Sequence, residues 1–209
     1  MANDLAPMQP EFFAQYSEAA GGGPSDDIEG RLLRFAKGDY VIGSGDEALP
    51  PNSRVLVDMG KLTAGWVRWD GKRPVERRTG YVGSGFQPAP REALGHEDTS
   101  QWPVGLDGKR QDPWAFTNQF VCRVGSKDVY TFVTSSKGGI KAVGKLCGAY
   151  ASGMRTRAKG EMPIVELGSD SYRHADFGVI KYPELAIVDW GSKKDAEEPR
   201  KKIASRKAA

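Results

Sequence analysis

Between Arg31 and Trp190 the apolar residues come in short runs, often at every second position, and Gly, Pro, Asn or Asp cuts most runs off. Side chains that alternate with period two belong on a pleated strand with one face buried. The punctuation is dense, with 26 Gly and 13 Pro in 209 residues. That supply of turns suits many short strands better than a few long helices. A mainly β, β-rich α+β chain is expected.

The runs can be placed one by one. RLLRF at 31–35 reads as a short strand, and KGDYVIG at 37–43 as a second piece. PPN at 50–52 turns the chain into SRVLVDM at 53–59, a β-branched, alternating strand. AGWVRWDG at 64–71 alternates as well, with Trp66, Arg68 and Asp70 on one face and Val67 and Trp69 on the other. Asp70-Gly71 is a hairpin signal, and VERRTGYV at 75–82 is the returning strand. TNQFVCRVG (117–125) and DVYTFVTSS (128–136) form two more strands across Ser126-Lys127, and MPIVELG (162–168), FGVIKYP (177–183) and LAIVDW (185–190) supply two or three others.

One segment breaks the period. In KGGIKAVGKLCGAYA (137–151), Ile140, Val143, Cys147 and Tyr150 recur at helical spacing with Leu146 beside them. Ser135 or Ser136 is the natural N-cap, and Gly153 lies just past the expected end. From Gly83 to Pro113 the periodicity is lost among Pro88, Pro90, Pro103 and Pro113, and this stretch reads as a long insertion or wrapping loop.

A helix set between the third and fourth strands of a small closed sheet is the order of an OB-fold. Segment 53–60 or 64–70, then 117–125 and 128–136, places the helix where that fold needs it. Other β-barrels and α+β sheets accept the same string. The expected organisation is an acidic flexible arm (1–30), an OB-like barrel domain (31–190) with the insertion 83–113, and a basic disordered tail (191–209).

Net charge is +3, unevenly spread. Residues 1–30 carry −6, 31–190 carry +5 and 191–209 carry +4. A basic body between an acidic arm and a basic tail suits a polyanion. No run of 18 apolar residues occurs, so no membrane partner is expected. The start MANDLAPMQPEFF lacks the basic n-region of a secretory signal. Cys122 and Cys147 form no metal pattern or disulfide framework, which fits a reducing cytoplasm.

Lys137, Lys141 and Lys145 fall at i, i+4 and i+8, a stripe on one helix face. At its start, Ser135, Ser136, Gly138 and Gly139 would leave backbone N–H groups open to an anion, with glycine allowing a phosphate close approach. Trp66, Arg68, Trp69, Arg123 and Tyr130 interleave rings and charges on strands, with Phe132 beside Tyr130. Exposed rings of this kind stack on bases while cations track phosphates. About half of Trp66, Trp69, Tyr130 and Phe132 are expected in the core. Arg77 and Arg78 are further surface candidates, and DGKRQDPW offers Lys109, Arg110 and Trp114 in a turn-rich loop.

Chemistry is thinly represented. His96 lies near Glu97 and Asp98, and His174 near Asp170 and Asp176, but neither set has the spacing of a metal site. Neither cysteine has an adjacent His, and no nucleophile-elbow, zinc-protease or dinucleotide motif occurs. No enzyme activity, cofactor or metal is expected.

Taken together, GWVRWDGKRP (65–74), QDPWAFTNQF (111–120), YTFVTSSKGGIKAVGKLCGAY (130–150) and PIVELGSDSYRHADFGVIKYPEL (163–185) resemble a family of uncharacterised proteins of tailed bacteriophages and prophages of proteobacteria. The resemblance spans about residues 31–190. It implies phage origin, the cytoplasm of a bacterial host, and a place beside phage replication or recombination proteins. The leading expectation is a single-stranded DNA-binding protein of little sequence preference, as a monomer or homo-oligomer. The rival is a phage structural or host-interaction protein without nucleic-acid activity. The basic tail departs from the acidic, partner-recruiting tail common in single-strand-binding proteins.

Overall fold

The computed structural model describes residues 28–43, 47–71, 73–105, 108–125, 128–158, 160–175 and 178–192. The expected acidic arm and basic tail lie almost wholly outside them. Ten elements follow in order: β1 (Arg31–Ala36), β2 (Asp39–Ile42), β3 (Glu47–Ala48), β4 (Ser53–Asp70), β5 (Arg73–Tyr81), β6 (Trp114–Val124), β7 (Asp128–Thr134), α1 (Lys137–Gly153), β8 (Met162–His174) and β9 (Gly178–Gly191). Among the described residues the fold is mainly β, a strongly curled half-barrel sheet with one α-helix.

The strands run β3-β2-β1-β7-β6-β4-β8-β9, with β5 also on β4. Neighbours are antiparallel except β1 and β7, which are parallel with Arg31 opposite Tyr130. The long strand β4 organises the rest. Its first residues, Ser53–Leu56, pair with β8, its last, Thr63–Asp70, pair with β5, and β6 runs along both halves.

The sequence suggests two strands here because the alternation fails between them. Met59 and Leu62, an odd number of residues apart, are both buried. A register shift against β6 between Asp58 and Thr63 absorbs the slip. The Asp58 carboxylate accepts the Gly60 N–H at 3.2 Å inside it. Such an irregularity bends a strand without ending it, so one strand serves both ends of the molecule.

A second expected break also disappears. Pro183 lies inside β9, and the edge position explains it: the sheet ends there, so a missing N–H removes no ladder bond. The expected strands 177–183 and 185–190 are therefore one. β8 likewise continues through Ser169–His174, and together with Gly178–Tyr182 this forms a largely exposed two-stranded arm.

The inner face carries Leu33, Val55, Val57, Phe120, Phe132, Val165, Leu167 and Leu185. Phe120 and Phe132 pack with ring centroids 5.0 Å apart. Ala142, Val143 and Leu146 of α1 close this core from above. Leu146 is fully buried, a burial that contributes about 1.5–3 kcal/mol.

The helix begins at Ser136, whose hydroxyl accepts the Gly139 N–H at 3.1 Å. Its far end lies on Trp190, which stacks with Tyr150 at 5.7 Å and carries the Arg157 guanidinium above it.

No ladder joins β1–β3 to β9 among the described residues. Side chains bridge that side instead. The buried Tyr40 hydroxyl lies 3.0 Å from the carbonyl oxygens of both Gly168 and Glu184 and donates to them. Burial raises the Tyr40 phenol pKa well above its ordinary value. Gly38, at φ +104°, turns β1 into β2, and a Cβ there would fall 2.3 Å from the Lys181 stem.

The segment 82–113, which takes in the expected insertion or wrapping loop 83–113, has local structure among its described residues. It contains short 3₁₀ turns at Val82–Ser84, Arg91–Leu94 and Thr99–Gln101. Arg91 grips Asp112 with two hydrogen bonds of 2.6 and 2.7 Å, and Leu94 is buried. Proline and glycine erase periodicity without preventing order when side-chain bonds replace the ladder.

Candidate nucleic-acid interface

An open cleft of about 610 Å³ runs between α1 and the β8–β9 arm. Lys137, Lys141 and Lys145 form one wall, and Tyr172 and Tyr182 stand on the other. Four residues of helix advance by about 6 Å, so the three lysines are evenly spaced along the opening. Ala142, Pro183, Leu185 and Ala186 give the cleft apolar surface, while Glu184 adds a carboxylate.

The far wall follows from hairpin register. Asp170 opposes Tyr182 and Tyr172 opposes Ile180, which puts Asp170, Tyr172 and Tyr182 on one face of the arm. The two tyrosine rings lie 6.1 Å apart at 46°. Tyr182 donates its hydroxyl to Asp170 Oδ2 at 2.6 Å, which fixes the ring, whereas Tyr172 is half exposed.

None of the three lysines forms an ion pair among the described residues. The nearest carboxylate influence is at Asp170. Its pKa is held below the ordinary range by the Tyr182 hydroxyl first, then by the Ser171 N–H, with the Lys145 charge adding to both. The reciprocal effect raises the Tyr182 phenol, chiefly through the same bond to Asp170. The cleft lining thus presents three cations and one carboxylate, Glu184, with Asp170 bonded to Tyr182 beside it.

The remaining expected contacts do not gather there. Tyr130 and Trp114 are 4% and 3% exposed, so neither ring has a face free to stack on a base. Tyr130 and Phe132 belong to the inner core, which bears out the expectation that half the strand aromatics are buried. Trp66 is half-buried, donates its indole N–H to the Ala89 carbonyl and meets Phe116 edge-on. Trp69 is 37% exposed at the far end of β4.

Arg68 and Arg78 both bind Glu76, at 3.1 and 2.9 Å, and both lie over the Trp114 ring. Burial would raise the Glu76 pKa, but the bonds to Arg78 and Arg68 outweigh it and hold it low. Arg77 is half-buried on β5, opposite Val67. Arg123 is half-buried on β6, opposite Leu56 on β4. Lys109 and Arg110 are exposed, and Arg110 donates to the Trp102 carbonyl. About ten residues of β4 separate its β8-paired start from its β5-paired end, roughly 30 Å along the strand. The candidate residues therefore fall at the two ends of β4.

Two glycines are also reassigned. A Cβ on Gly139 would fall 1.9 Å from Thr134 Oγ1, and one on Gly138 would fall 2.7 Å from the Tyr182 Cβ. They let the helix approach its own sheet, and the Gly139 N–H is already used by Ser136. At the expected phosphate cradle the Gly139 N–H is thus taken by Ser136, and the Gly138 Cα faces Tyr182.

Tyr172 and Tyr182 are the residues that sequence reasoning missed. Their signal was present in SDSYRH and VIKYP, where period-two spacing continues past the apolar run.

Among the described residues no group of three His, Cys, Asp or Glu side chains could hold a metal. The Asp170 carboxylate near His174 is taken by Tyr182 and Ser171, and Asp176 lies outside the described residues. No described helix is long and apolar enough to cross a membrane. No family model, curated protein or solved structure matches this chain. A functional reading accordingly rests on the cleft itself.

Proposed function

We propose that this protein binds single-stranded nucleic acid, DNA first, without catalysis and with little sequence preference. The carrying observation is the cleft in which three lysines lacking described ion pairs face Tyr172 and Tyr182. Cations track a phosphate backbone, and a tyrosine ring stacks on any base because every base has a flat face. A duplex hides those faces inside its own stack, so the tyrosine wall favours unpaired strands.

The strand path supports an OB-like assignment. β4, β6, β7, α1, β8 and β9 follow the order of that barrel, with β4 paired to both β6 and β8. The strands β1–β3 on the β7 edge are additional to it. The role proposed with it is in phage DNA replication or recombination in the cytoplasm of the bacterial host.

A fluorescein-labelled dT oligonucleotide titrated with the full chain tests the reading. Anisotropy should rise at low salt, fall steeply in affinity as salt increases, and resist competition by duplex of equal length. No change at micromolar protein and low salt would exclude this function.

A further inference from the structure

The Arg91–Asp112 and Arg68–Glu76–Arg78 groups are closed on themselves. Cys122 is buried and its thiol is pushed up to about 12 by that burial. The exposed glycines 144 and 148 of α1 face open space with nothing against them. None of these sets cations beside an exposed ring on an open surface, as the cleft does.

Resting on the reading of single-strand binding, we infer that α1 reads the strand at one phosphate per lysine, with Lys137, Lys141 and Lys145 contacting three successive phosphates. The helix rises about 1.5 Å per residue, so lysines four apart stand about 6 Å apart along its axis. That is the scale on which successive phosphates follow one another in an extended single strand. In a duplex each strand winds around the helix axis, so its phosphates leave a straight row of cations.

The opposite wall fits the same strand. With phosphates along the helix, the bases turn towards the β8–β9 arm, where Tyr172 is half exposed. Tyr182 lies deeper, pinned by Asp170 and packed over Gly138 beside Lys137. Tyr172 is therefore the stacking ring, and Tyr182 the fixed wall that keeps it in place. Glu184 lines the cleft on the arm side, and Asp170 is bonded to Tyr182 beside it, so a second phosphate row there would be repelled. The geometry admits one strand, in one lane.

Three phosphates require about four nucleotides, the lower end of the site sizes known for single-strand binders. Binding by this cleft should strengthen from dT2 to dT4 and gain little from dT4 to dT8. For single strands the slope of log affinity against log salt is about −0.7 per phosphate neutralised. Three contacts predict a slope of about −2.

The experiment measures that slope for the full chain and for Lys137→Ala, Lys141→Ala, Lys145→Ala and their triple combination, with thermal melting as the folding control. Each single change should flatten the slope by about 0.7, and the triple change should bring it close to zero. Tyr172→Ala should weaken binding about tenfold with the slope unchanged, and Tyr172→Phe should retain affinity. If the parent chain binds dT but the lysine variants keep its slope, the one-lysine-per-phosphate register is wrong and single-strand binding survives by another surface. If the parent chain does not bind at all, both fall together.

Discussion

The two ends of β4 use positive charge in opposite ways. At the β5 end, Arg68 and Arg78 are tied to Glu76, Arg91 is tied to Asp112, and Trp114 is buried among them. At the β8 end, the lysines of α1 face the cleft with no ion pair among the described residues, and Tyr172 is half exposed. The same ingredients, cations beside aromatic rings, are satisfied internally in one place and left for a ligand in the other. A basic-aromatic pattern in sequence thus does not by itself tell cations tied to their own carboxylates from cations that form no ion pair among the described residues.

This contrast predicts that changes at the β8 end alter binding and changes at the β5 end alter stability. The largest effect should come from Lys137→Glu, Lys141→Glu and Lys145→Glu combined, with loss of about 100-fold or more in dT affinity and an unchanged melting temperature. Comparable loss from Arg68→Glu in a folded chain would erase the distinction. Next in size, Arg91→Ala leaves the half-buried Asp112 without its bidentate partner. It should lower stability by about 2 kcal/mol in urea unfolding, speed hydrogen exchange across 82–113 and leave dT affinity intact.

Gly139→Ala pushes a methyl into Thr134 and should destabilise by about 1–3 kcal/mol. The contrast with Gly144→Ala sharpens the point, since nothing lies within 4 Å of a Cβ there. That change should raise the melting temperature slightly through helix propensity.

Acid titration gives the smallest and most discriminating effect. Glu76 and Asp112 are each subject to burial that raises their pKa, yet hydrogen bonds from Arg78 and Arg68, and from Arg91 and the Trp114 N–H, bring both below their ordinary values. A depressed carboxylate contributes stability above its unfolded pKa, about 4, and loses it as pH falls through the lower folded value. Thermal stability should therefore begin to fall below about pH 4. Asp170 is depressed too, by Tyr182 foremost, and its protonation removes a negative charge from the cleft. Oligonucleotide affinity should rise over the range in which stability declines, and a parallel fall of both in the folded state would contradict the division.

Much of the sheet was legible because alternation is a local signal. β1, β2, β5, β6, β7 and the helix from Lys137 all lie where short-range spacing puts them. Strand joins were not legible. The register slip at Asp58/Thr63 and the edge position of Pro183 depend on neighbours far along the chain. The lysine stripe was legible for the same local reason as the helix. Its tyrosine wall was not, since Tyr172 and Tyr182 become neighbours only through the β8–β9 register. Nor could alternation tell the buried Tyr130 and Trp114 from surface rings, because pleating sorts side chains into two faces without saying which is covered.

Tyr40 gives the sheet an unusual kind of closure. A ladder fixes the circumference of a barrel in whole strands, whereas a phenol reaching two carbonyls, with the Lys181 stem lying against Gly38, sets it by side-chain length. Because both carbonyls lie on the strands that continue into the tyrosine arm, a single buried oxygen ties the first strands of the chain to the wall of the groove.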